Sequence, residues 1–401
     1  MIKKLNIECN SCKSDCLYLV YDFGAIPHVN KYYSLTKKFH EKKYPLRLAI
    51  CSSCFLLQLL DEIDINDMFI EYHHMSSASH TNKEYLNSLS EKIFRDYKNK
   101  KILEVGSNDL TMVNFLLDKG MDIYGVEPAK NLFKENGRIY NGFLNSENID
   151  DIKDRFGEFD LIFGINVFAH NPEFIDLFHA CNSLLKNDGT LHIEVAYALR
   201  TICDGNYDTI YHEHFCSYTL ISIENVLNLA GFKIIDAMEI DTQGGSLQIT
   251  AKKLSYPADD TTDSYKKILS KELEIGINTI DFYERVSSKI SSKAENIKKY
   301  FDSNRDNIVF IGAPARGVVT LNTANITFGD NVKVIDDTPE KLGLCFPGYN
   351  FIIDSWDIEI INKFEKVFIL SWNYKDYLVK RLNDSGYEGE IVLPFPNLEK
   401  V

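Results

Sequence analysis

The sequence predicts an α/β protein in which two units with parallel sheets follow a small cysteine-containing N-terminal part. Strand-like apolar runs alternate with helical segments from about residue 101 to residue 254, and the same alternation starts again near residue 305. Two pairs of cysteines precede the first alternation. The chain has 401 residues, of which 45% are hydrophobic, and this is enough for two or three domains with their own cores.

The composition argues against several classes of protein. A formal net charge of -14 disfavours binding to nucleic acid or to an anionic membrane, because both need a positive field. The first residues, MIKKLNIECNSC, lack the apolar stretch of a signal peptide, and no later run approaches the roughly 18 apolar residues of a membrane span. We therefore expect a cytoplasmic protein with no nucleic-acid or membrane partner. In a reducing compartment, the nine cysteines are expected to bind metal or to react, not to form disulfides.

Four cysteines form two C-x-x-C pairs, Cys9 with Cys12 and Cys51 with Cys54. Two such pairs can close a tetrahedral shell around zinc, and a closed shell leaves no position for substrate, which indicates a structural ion. The intervening segment, with AIPHVNKYY and KKYPLRLAI, is predicted to be loop-like and exceeds the usual zinc-ribbon gap, and Cys16 is a competing thiol. The alternative is partly buried free cysteines. We predict a zinc-binding domain over residues 1–70.

The central part is predicted to form a doubly wound sheet after a polar helix near residues 82–100. KKILEVGSNDL reads as a buried strand with a polar loop, TMVNFLLDKG as a helix with a glycine stop, and MDIYGVEP as the next strand. FDLIFGINVFAH and TLHIEVAY are further strands, separated by the helix PEFIDLFHACNSLLKNDG. A helix at SIENVLNLAG and strands at FKIIDAMEI and GGSLQITAKK complete a domain over residues 71–254.

The rest of the chain divides into a connector and a second α/β unit. Residues 255–304 are rich in Lys, Glu, Ser and Ile at helical spacing, which predicts one long helix or a helix pair. NIVFIGAPARGVVTLN then reads as strand, loop and helix, and VKVIDDTPEK, KVFILSWN and EGEIVLPFPN continue the series. We predict a C-terminal nucleotide-type α/β domain over residues 305–401.

The loop after the first central strand is a candidate nucleotide site. EVGSNDL contains one glycine, so the G-x-G-x-x-G dinucleotide fingerprint is absent. Glu127 ends the next strand, where a carboxylate can accept hydrogen bonds from both hydroxyls of a ribose. The two features suggest an adenosine-type ligand, and the alternative is an ordinary strand end with a solvated carboxylate.

The segment DTIYHEHFCSYT, residues 208–219, is a candidate catalytic site. His212 and His214 stand at i and i+2, unlike the histidines of H-E-x-x-H, and no third metal ligand is evident. A neutral imidazole is suited to remove a proton near pH 7, whereas histidines bonded to the backbone would only hold the loop. An extended segment would direct Tyr211 and Glu213 away from both histidines. We predict that the segment turns instead, so that Tyr211 and His214 can share one substrate, and that His212 is structural.

The segment GAPARG is a candidate anion site. Gly312, Arg316 and Gly317 lie between a predicted strand and a predicted helix, so backbone N–H groups and a cation could face a diphosphate. An ordinary helix start is the alternative.

Together these motifs resemble the sugar C-methyltransferases that use S-adenosylmethionine to methylate nucleotide-linked keto sugars. The resemblance covers nearly the whole chain and includes the C-x-x-C pairs, EVGSND, GVEP, NVFAH, DTIYHEH, GGSL, GAPARG, SWN and the closing P-F-P. It implies a small N-terminal zinc-binding domain, a central class I methyltransferase (Rossmann-like) domain and a C-terminal Rossmann-like α/β domain that helps to bind the nucleotide sugar. The implied cofactors are S-adenosylmethionine and a structural Zn²⁺. The chain departs from the family at Leu110, where glycine is usual, and at Ala313-Pro314, where glycine-alanine is usual.

The resemblance also implies roles for single residues. It makes His214 the catalytic base, with Tyr211 and Glu213 assisting. The implied cofactor-binding residues are Gly106, Ser107, Asn108, Asp109, Glu127, Asn166 and His170. The implied substrate-binding residues are Gly312, Arg316, Gly317, Asn322 and Tyr72, the last in the tyrosine-containing stretch FIEYHHMSSASH. The implied reaction is methylation of a nucleotide-diphosphate-linked 4-keto-6-deoxy sugar at C3, through an enediolate.

Two alternatives stand beside this reading. An O-methyltransferase would use the same base on a hydroxyl group, and a non-catalytic scaffold would keep the zinc domain and the cofactor fold without the reaction. The sequence leaves open the nucleotide, the sugar, the methylated carbon and the oligomeric state, for which a monomer is the working expectation.

Overall fold

The computed structural model describes residues 2–35, 41–63, 68, 75–77, 80–133, 136–202, 204–257 and 261–401. Their strands form three sheets, one for each of the α/β units and one for the cysteine-containing part. Within these ranges, no helix combines the length and the hydrophobicity that a membrane span requires.

The N-terminal sheet is antiparallel, with the order β1-β2-β3-β4-β10. Its strands are β1 (Lys3–Lys4), β2 (Leu17–Pro27), β3 (Lys43–Cys51), β4 (Leu57–Leu59) and β10 (Cys216–Ser217). The prediction of a loop-like segment between the cysteine pairs was wrong, because β2 and β3 pair from Leu17↔Cys51 to Pro27↔Lys43. The aromatic and aliphatic residues of LYLVYDF and LRLAI favour strands, and Gly24 lies where the register of the pair shifts.

The central sheet has the order β11-β12-β9-β8-β5-β6-β7. Its strands are β5 (Lys101–Val105), β6 (Asp122–Glu127), β7 (Ile139–Asn141), β8 (Phe159–Ile165), β9 (Leu185–Ala196), β11 (Phe232–Ile240) and β12 (Ser246–Lys253). The first five run parallel in the relative order 3-2-1-4-5 of dinucleotide-binding sheets, and β12 is antiparallel to both neighbours. The strand order reverses between β5 and β8, so a crevice is expected at their carboxyl ends.

Helices cover the central sheet. They are α1 (His80–Tyr97), α2 (Thr111–Asp118), α3 (Ile149–Phe156), α4 (Phe174–Leu184), α5 (Ala198–Thr201) and α6 (Leu220–Leu229). The helix predicted for PEFIDLFHACNSLLKNDG ends earlier than expected, because the chain extends into β9 from Leu185. No element was predicted for the stretch that forms β7 and α3. Thr219 and Ser222 form a capping box that starts α6.

The connector is a helix pair, α7 (Asp263–Glu274) and α8 (Ile280–Ser303). Buried residues recur along α8 at helical spacing and include Val286, Ile290 and Ile297. Glu272 is fully buried in α7, and its carboxylate accepts hydrogen bonds from the backbone N–H groups of Leu220, at 2.6 Å, and Ile221, at 2.9 Å. This carboxylate therefore provides hydrogen-bond acceptors for two N–H groups in the first turn of α6, and it connects the connector helices to the central unit.

The C-terminal sheet has the order β15-β14-β13-β16-β17-β18 and is parallel except for β18. Its strands are β13 (Ile308–Ile311), β14 (Val332–Ile335), β15 (Ile353–Asp354), β16 (Lys366–Ile369), β17 (Glu390–Leu393) and β18 (Glu399–Lys400). Its helices are α9 (Ala315–Ala324), α10 (Ile358–Ile361) and α11 (Lys375–Asp384). Counted within the unit, the strand order is 3-2-1-4-5-6, that of a Rossmann sheet. The α/β class predicted for both units is confirmed.

Candidate active site at the junction of the three sheets

The four paired cysteines form one cluster in the N-terminal sheet. The Sγ atoms of Cys9, Cys12, Cys51 and Cys54 all lie within 4.8 Å of one another. The Cys9–Cys54 and Cys12–Cys51 sulfur distances are both 3.6 Å. A tetrahedral zinc ion with Zn–S bonds of about 2.3 Å would hold its sulfurs about 3.8 Å apart, so the cluster fits zinc. Cys16 lies outside it.

Neighbouring groups orient the sulfurs of this cluster. The Gln58 side-chain amide donates to Cys9 Sγ at 3.1 Å, and its oxygen accepts the Asn10 backbone N–H at 2.9 Å. The Ser53 N–H lies 3.4 Å from Cys51 Sγ. Donors of this kind stabilise thiolate ligands, as expected around a structural ion.

The predicted cofactor loop follows β5 and is folded against Glu127. The Oε2 atom of Glu127 accepts the Asn108 N–H at 2.6 Å, and its Oε1 atom accepts the Ala129 N–H at 2.8 Å. Burial raises the pKa of Glu127, while the two N–H groups oppose that shift. Each carboxylate oxygen can accept a second hydrogen bond, so a ribose could still be bound there.

Three residues of this loop have left-handed backbone: Gly106 at φ 70°, Asn108 at φ 49° and Leu110 at φ 66°. Leu110 therefore adopts the conformation that favours the glycine usual in the family. Its side chain is 4% exposed and packs in the core beside α1 and α2. A Cβ at Gly106 would lie 2.7 Å from Val167 Cγ2, so the loops after β5 and β8 touch closely at the switch point.

The segment before α1 is tied to the cofactor loop. Asn108 Oδ1 accepts the Ser76 N–H, and Asp109 Oδ2 accepts the Ser77 N–H, both at 2.9 Å. The other oxygen of Asp109 accepts the Thr111 hydroxyl at 2.7 Å. Tyr72, predicted to bind substrate, lies outside the described residues.

Two buried carboxyl groups that the sequence analysis missed border the same crevice. Glu104 is 6% exposed, and burial raises its pKa well above the usual value, assisted by the charge of Glu127. Glu194, at the end of β9, accepts hydrogen bonds from Thr242 at 3.0 Å and from Tyr85. Two of the residues implied to bind the cofactor are also placed by the structure. Ser107 is buried, and Asn166, which has a φ of 53°, donates its N–H to the Glu194 carbonyl at 2.8 Å. In the sequence, both carboxyl groups stand within otherwise apolar strand runs, ILEV and IEVA, and this was the available signal.

The segment DTIYHEHFCSYT turns. The His214 N–H donates to the Tyr211 carbonyl at 2.8 Å, and the two rings lie 4.0 Å apart between centroids. His170 contacts the other side, with its ring edge-on to His214 at 4.7 Å. The predicted turn is confirmed, and it brings Tyr211 and His214 together. His170 lies beside this pair, although it had been assigned to the cofactor.

The hydrogen bonds of His214 define its tautomer. Its Nδ1 lies 2.7 Å from the Thr209 carbonyl, which can only accept, so Nδ1 carries the hydrogen and Nε2 has the free lone pair. Burial, with a further contribution from the charge of Arg316, lowers the pKa of His214 to about 4. The ring is therefore neutral at pH 7.

His212 and Glu213 connect to the N-terminal unit instead. His212 is 1% exposed, and its Nε2 donates to the Pro45 carbonyl at 2.8 Å, which agrees with a structural role. Glu213 Oε1 accepts a hydrogen bond from Asn30 Nδ2 at 2.7 Å and lies 3.6 Å from His28 Nε2. Burial raises the pKa of Glu213 to about 7. His28 and Asn30 were missed, and their polarity within AIPHVNKYY was the available signal.

The GAPARG loop joins this junction from the C-terminal sheet. A Cβ at Gly312, with φ 88°, would lie 2.0 Å from Ser371 Oγ, and one at Gly317 would lie 2.9 Å from Leu370 Cβ. Both glycines thus permit close packing of the loop and α9 on β16. The Arg316 guanidinium stacks 5.8 Å from the Trp372 ring, near enough to His214 and Tyr211 to act on their pKa values.

Asn322 does not join Arg316. Its side-chain amide donates to the Val318 carbonyl at 2.9 Å and to the Pro347 carbonyl at 3.2 Å. It lies six residues, or about 9 Å, farther along α9. Its contacts therefore hold the end of the helix to a neighbouring loop.

Other side chains converge on this loop without having been predicted. The Ala313 carbonyl accepts the Tyr32 hydroxyl at 2.6 Å and Lys341 Nζ at 2.9 Å, and the Ala313 N–H donates to Asp336 Oδ2 at 2.6 Å. Tyr32 reaches the loop from the N-terminal unit. All three units therefore contribute to the junction.

Three family models match consecutive parts of the chain. They are a zinc binding domain at residues 9–69, a methyltransferase domain at residues 73–237 and a C-methyltransferase C-terminal domain at residues 241–396. The chain is 24% identical to C-methyltransferase NovU of Streptomyces niveus over 97% of its own length and 95% of that protein.

Two solved methyltransferases resemble the middle of the chain. The 1,6-didemethyltoxoflavin-N1-methyltransferase of Burkholderia thailandensis is 15% identical, with a TM-score of 0.31, and the match covers 43% of this chain and 80% of that one. The CcbJ methyltransferase of Streptomyces caelestis is 12% identical, with a TM-score of 0.32, and the match covers 47% and 96%. At such TM-scores neither likeness carries weight.

The three matched models follow the three sheets in order, and the last of them specifies transfer to carbon. The O-methyltransferase and the scaffold alternatives are therefore set aside. The cofactors are S-adenosylmethionine and zinc, as predicted. The chain thus carries, in order, the zinc-binding, methyltransferase and C-methyltransferase C-terminal domains of an S-adenosylmethionine-dependent C-methyltransferase similar to NovU.

Proposed function

We propose that the chain methylates C3 of a nucleotide-diphosphate-linked 4-keto-6-deoxy sugar, with His214 as the base. The hydrogen bond between His214 Nδ1 and the Thr209 carbonyl carries the proposal, because it leaves Nε2 as a proton acceptor in a neutral ring. The Tyr211 ring lies 4.0 Å from this ring between centroids, and the charge of Arg316 contributes to the lowered pKa of His214.

Carbon needs such a base before it can be methylated. A C–H bond beside a carbonyl group loses its proton to give an enediolate, and this carbanion equivalent then attacks an electrophilic methyl group. S-adenosylmethionine supplies that methyl on a sulfonium centre. In our proposal Gly106, Asn108, Asp109 and Glu127 hold the donor, and His214 Nε2 takes the C3 proton.

The developing oxyanion needs donors in a water-poor site. Burial raises the pKa of Tyr211, with a contribution from the charge of Glu213, so its phenol stays protonated and can donate to the oxyanion. The Arg316 guanidinium adds positive charge nearby. These groups provide the base and the stabilisation that the reaction requires.

The nucleotide diphosphate is assigned to the GAPARG loop. Arg316 stands in the first turn of α9, where backbone N–H groups and the helix dipole favour an anion. An anion beside Arg316 would also offset the positive charge that lowers the pKa of His214, and would so make the base stronger when substrate is bound.

The test is hydrogen exchange at the sugar carbon. Protein is incubated with dTDP- and GDP-linked 4-keto-6-deoxy sugars in deuterated water, and exchange at C3 is followed by mass spectrometry and NMR. We expect exchange with the wild-type chain, none with His214→Asn, and normal exchange with His179→Asn, whose side chain is exposed on α4.

The product of the complete reaction gives a second result. NMR of the methylated sugar locates the new group, and we expect it on C3. Full exchange by His214→Asn would exclude His214 as the base, and a methyl group on oxygen or on another carbon would exclude the proposed reaction.

A further inference from the structure

Asp208 is a buried carboxylate that the proposed reaction does not use. Its side chain is 0% exposed, and its Oδ2 accepts the Trp372 indole N–H at 2.6 Å. Its Oδ1 has no hydrogen-bond partner among the described protein residues. Asp208 directly precedes Thr209, whose carbonyl orients His214.

The turn Tyr207–Thr209, which contains Asp208, packs against α9, and Arg316 stands in the first turn of that helix. The Arg316 guanidinium lies 5.8 Å from the ring of Trp372, the residue that donates to Asp208. Burial raises the pKa of Asp208, while the Arg316 charge and then the indole N–H oppose that shift. A charged partner is what a buried carboxylate needs to stay ionised.

The same guanidinium acts on the proposed base. Its charge disfavours protonation of His214, whose ring also faces Tyr211 from its own segment and His170 from the loop after β8. Among these groups only Arg316 is permanently charged. An anion at Asp208 would therefore reduce the field that His214 experiences.

We propose that Asp208 is a positioning residue whose carboxylate, anchored by Trp372, holds Arg316 beside the His214 turn and offsets the guanidinium charge there. The inference rests on the proposed function in that His214 is taken as the base. Asp208 itself touches neither substrate nor methyl donor in this scheme. It acts through Arg316, so its effect must depend on Arg316.

A double-mutant cycle tests that dependence. We would measure kcat/KM for methyl transfer with Asp208→Asn, Arg316→Gln and the double variant, since asparagine keeps an acceptor for Trp372 but loses the charge. We expect Asp208→Asn to lower kcat/KM roughly tenfold alone and by less than about twofold when Arg316 is already replaced. Additive losses would overturn the positioning role. Trp372→Phe, which removes the anchoring donor, should resemble Asp208→Asn.

A titration separates this inference from the proposed function, because it needs no substrate. The His214 imidazole is followed by NMR in the wild-type chain, in Asp208→Asn, in Arg316→Gln and in the double variant. We expect His214 to titrate at lower pH in Asp208→Asn than in the wild-type chain, because the Arg316 charge is then no longer offset, and we expect the double variant to titrate like Arg316→Gln.

Identical titration of His214 in Asp208→Asn and in the wild-type chain would overturn the charge role of Asp208. Asp204→Asn removes a carboxylate from an exposed position on the same segment and is expected to leave the titration unchanged. If His214→Asn still exchanged C3 hydrogen, the proposed base would be wrong, while the titration would still decide the role of Asp208.

Discussion

Asn30 donates a hydrogen bond of 2.7 Å to Glu213 across 183 positions of sequence. The residue that follows Glu213 is the proposed base, so this buried carboxylate connects the zinc-binding unit to the active-site turn, beside the contact of His212 with Pro45. This contact has a measurable dependence on pH.

Replacing Glu213 with glutamine should stabilise the protein at alkaline pH. Burial raises the pKa of Glu213 to about 7, so the folded state disfavours the ionised form. The resulting loss of stability is absent below about pH 4.5 and complete above about pH 7, where it amounts to roughly 3–4 kcal/mol. Glutamine can still accept from Asn30 and carries no charge. Thermal unfolding at pH 5 and pH 8 should show a gain only at pH 8. Glu274→Gln, at an exposed position, should show no such difference.

Removing the zinc should inactivate the enzyme although the ion is not at the reaction centre. The cysteine cluster holds β3 and β4 together, β4 pairs with β10, and β10 follows His214 by two residues. We expect one zinc per chain by elemental analysis and parallel loss of zinc and activity on chelation. Cys54→Ser should lose both, whereas Cys16→Ser should keep both. Full activity in zinc-free protein would contradict this coupling.

Alanine at Gly312 should destabilise the C-terminal unit strongly. Its Cβ would lie 2.0 Å from Ser371 Oγ at a φ of 88°. We expect a loss of about 3 kcal/mol or more, because the clash adds to the cost of left-handed alanine. Gly386→Ala, at a φ of 79° with no atom within 4 Å, is the matched control and should lose only about 1 kcal/mol. Equal losses of unfolding free energy for Gly312→Ala and Gly386→Ala in urea would show that the clash at Gly312 is relieved at little energetic cost.

Glycine at Leu110 should destabilise the protein even though the backbone there is left-handed. Release of the strained conformation gains about 1 kcal/mol, but loss of a buried leucine costs about 3 kcal/mol. Leu110 is 4% exposed, so the second effect should dominate and leave a net loss near 2 kcal/mol. Asn325→Gly, at a φ of 51° and an exposed position, should be neutral or slightly stabilising in the same urea titration. A Leu110→Gly protein as stable as wild type would mean that neighbouring side chains fill the space left by the leucine.

The parts of the molecule that sequence patterns predicted are those with local signals. Strands in both α/β units follow from apolar runs bounded by glycine, and the cysteine cluster follows from its spacing. The turn at Tyr211 and His214 was predicted from the chemistry they would have to share. The loop-like expectation between the cysteine pairs was wrong, because β2 and β3 pair across that segment.

Contacts between residues that are far apart in the sequence could not be predicted from local sequence patterns. Asp208 and Trp372 are separated by 164 positions, and nothing in either local sequence announces their hydrogen bond. The resemblance implied that Asn322 binds substrate, yet helical geometry carries it about 1.7 turns, or about 9 Å, away from Arg316. Such pairings depend on how complete sheets pack, which periodicity does not specify.

The two-residue strand β10 makes the zinc-binding sheet a noncontiguous unit. A chimera that exchanges only the first 70 residues would separate β4 from the strand with which it evolved, together with the Asn30 and Pro45 contacts to the turn. Grafting this N-terminal part onto a relative should therefore require transfer of residues 208–217 as well. A substrate preference that depends on this unit would then be transferred only when two separate stretches of the gene are exchanged together.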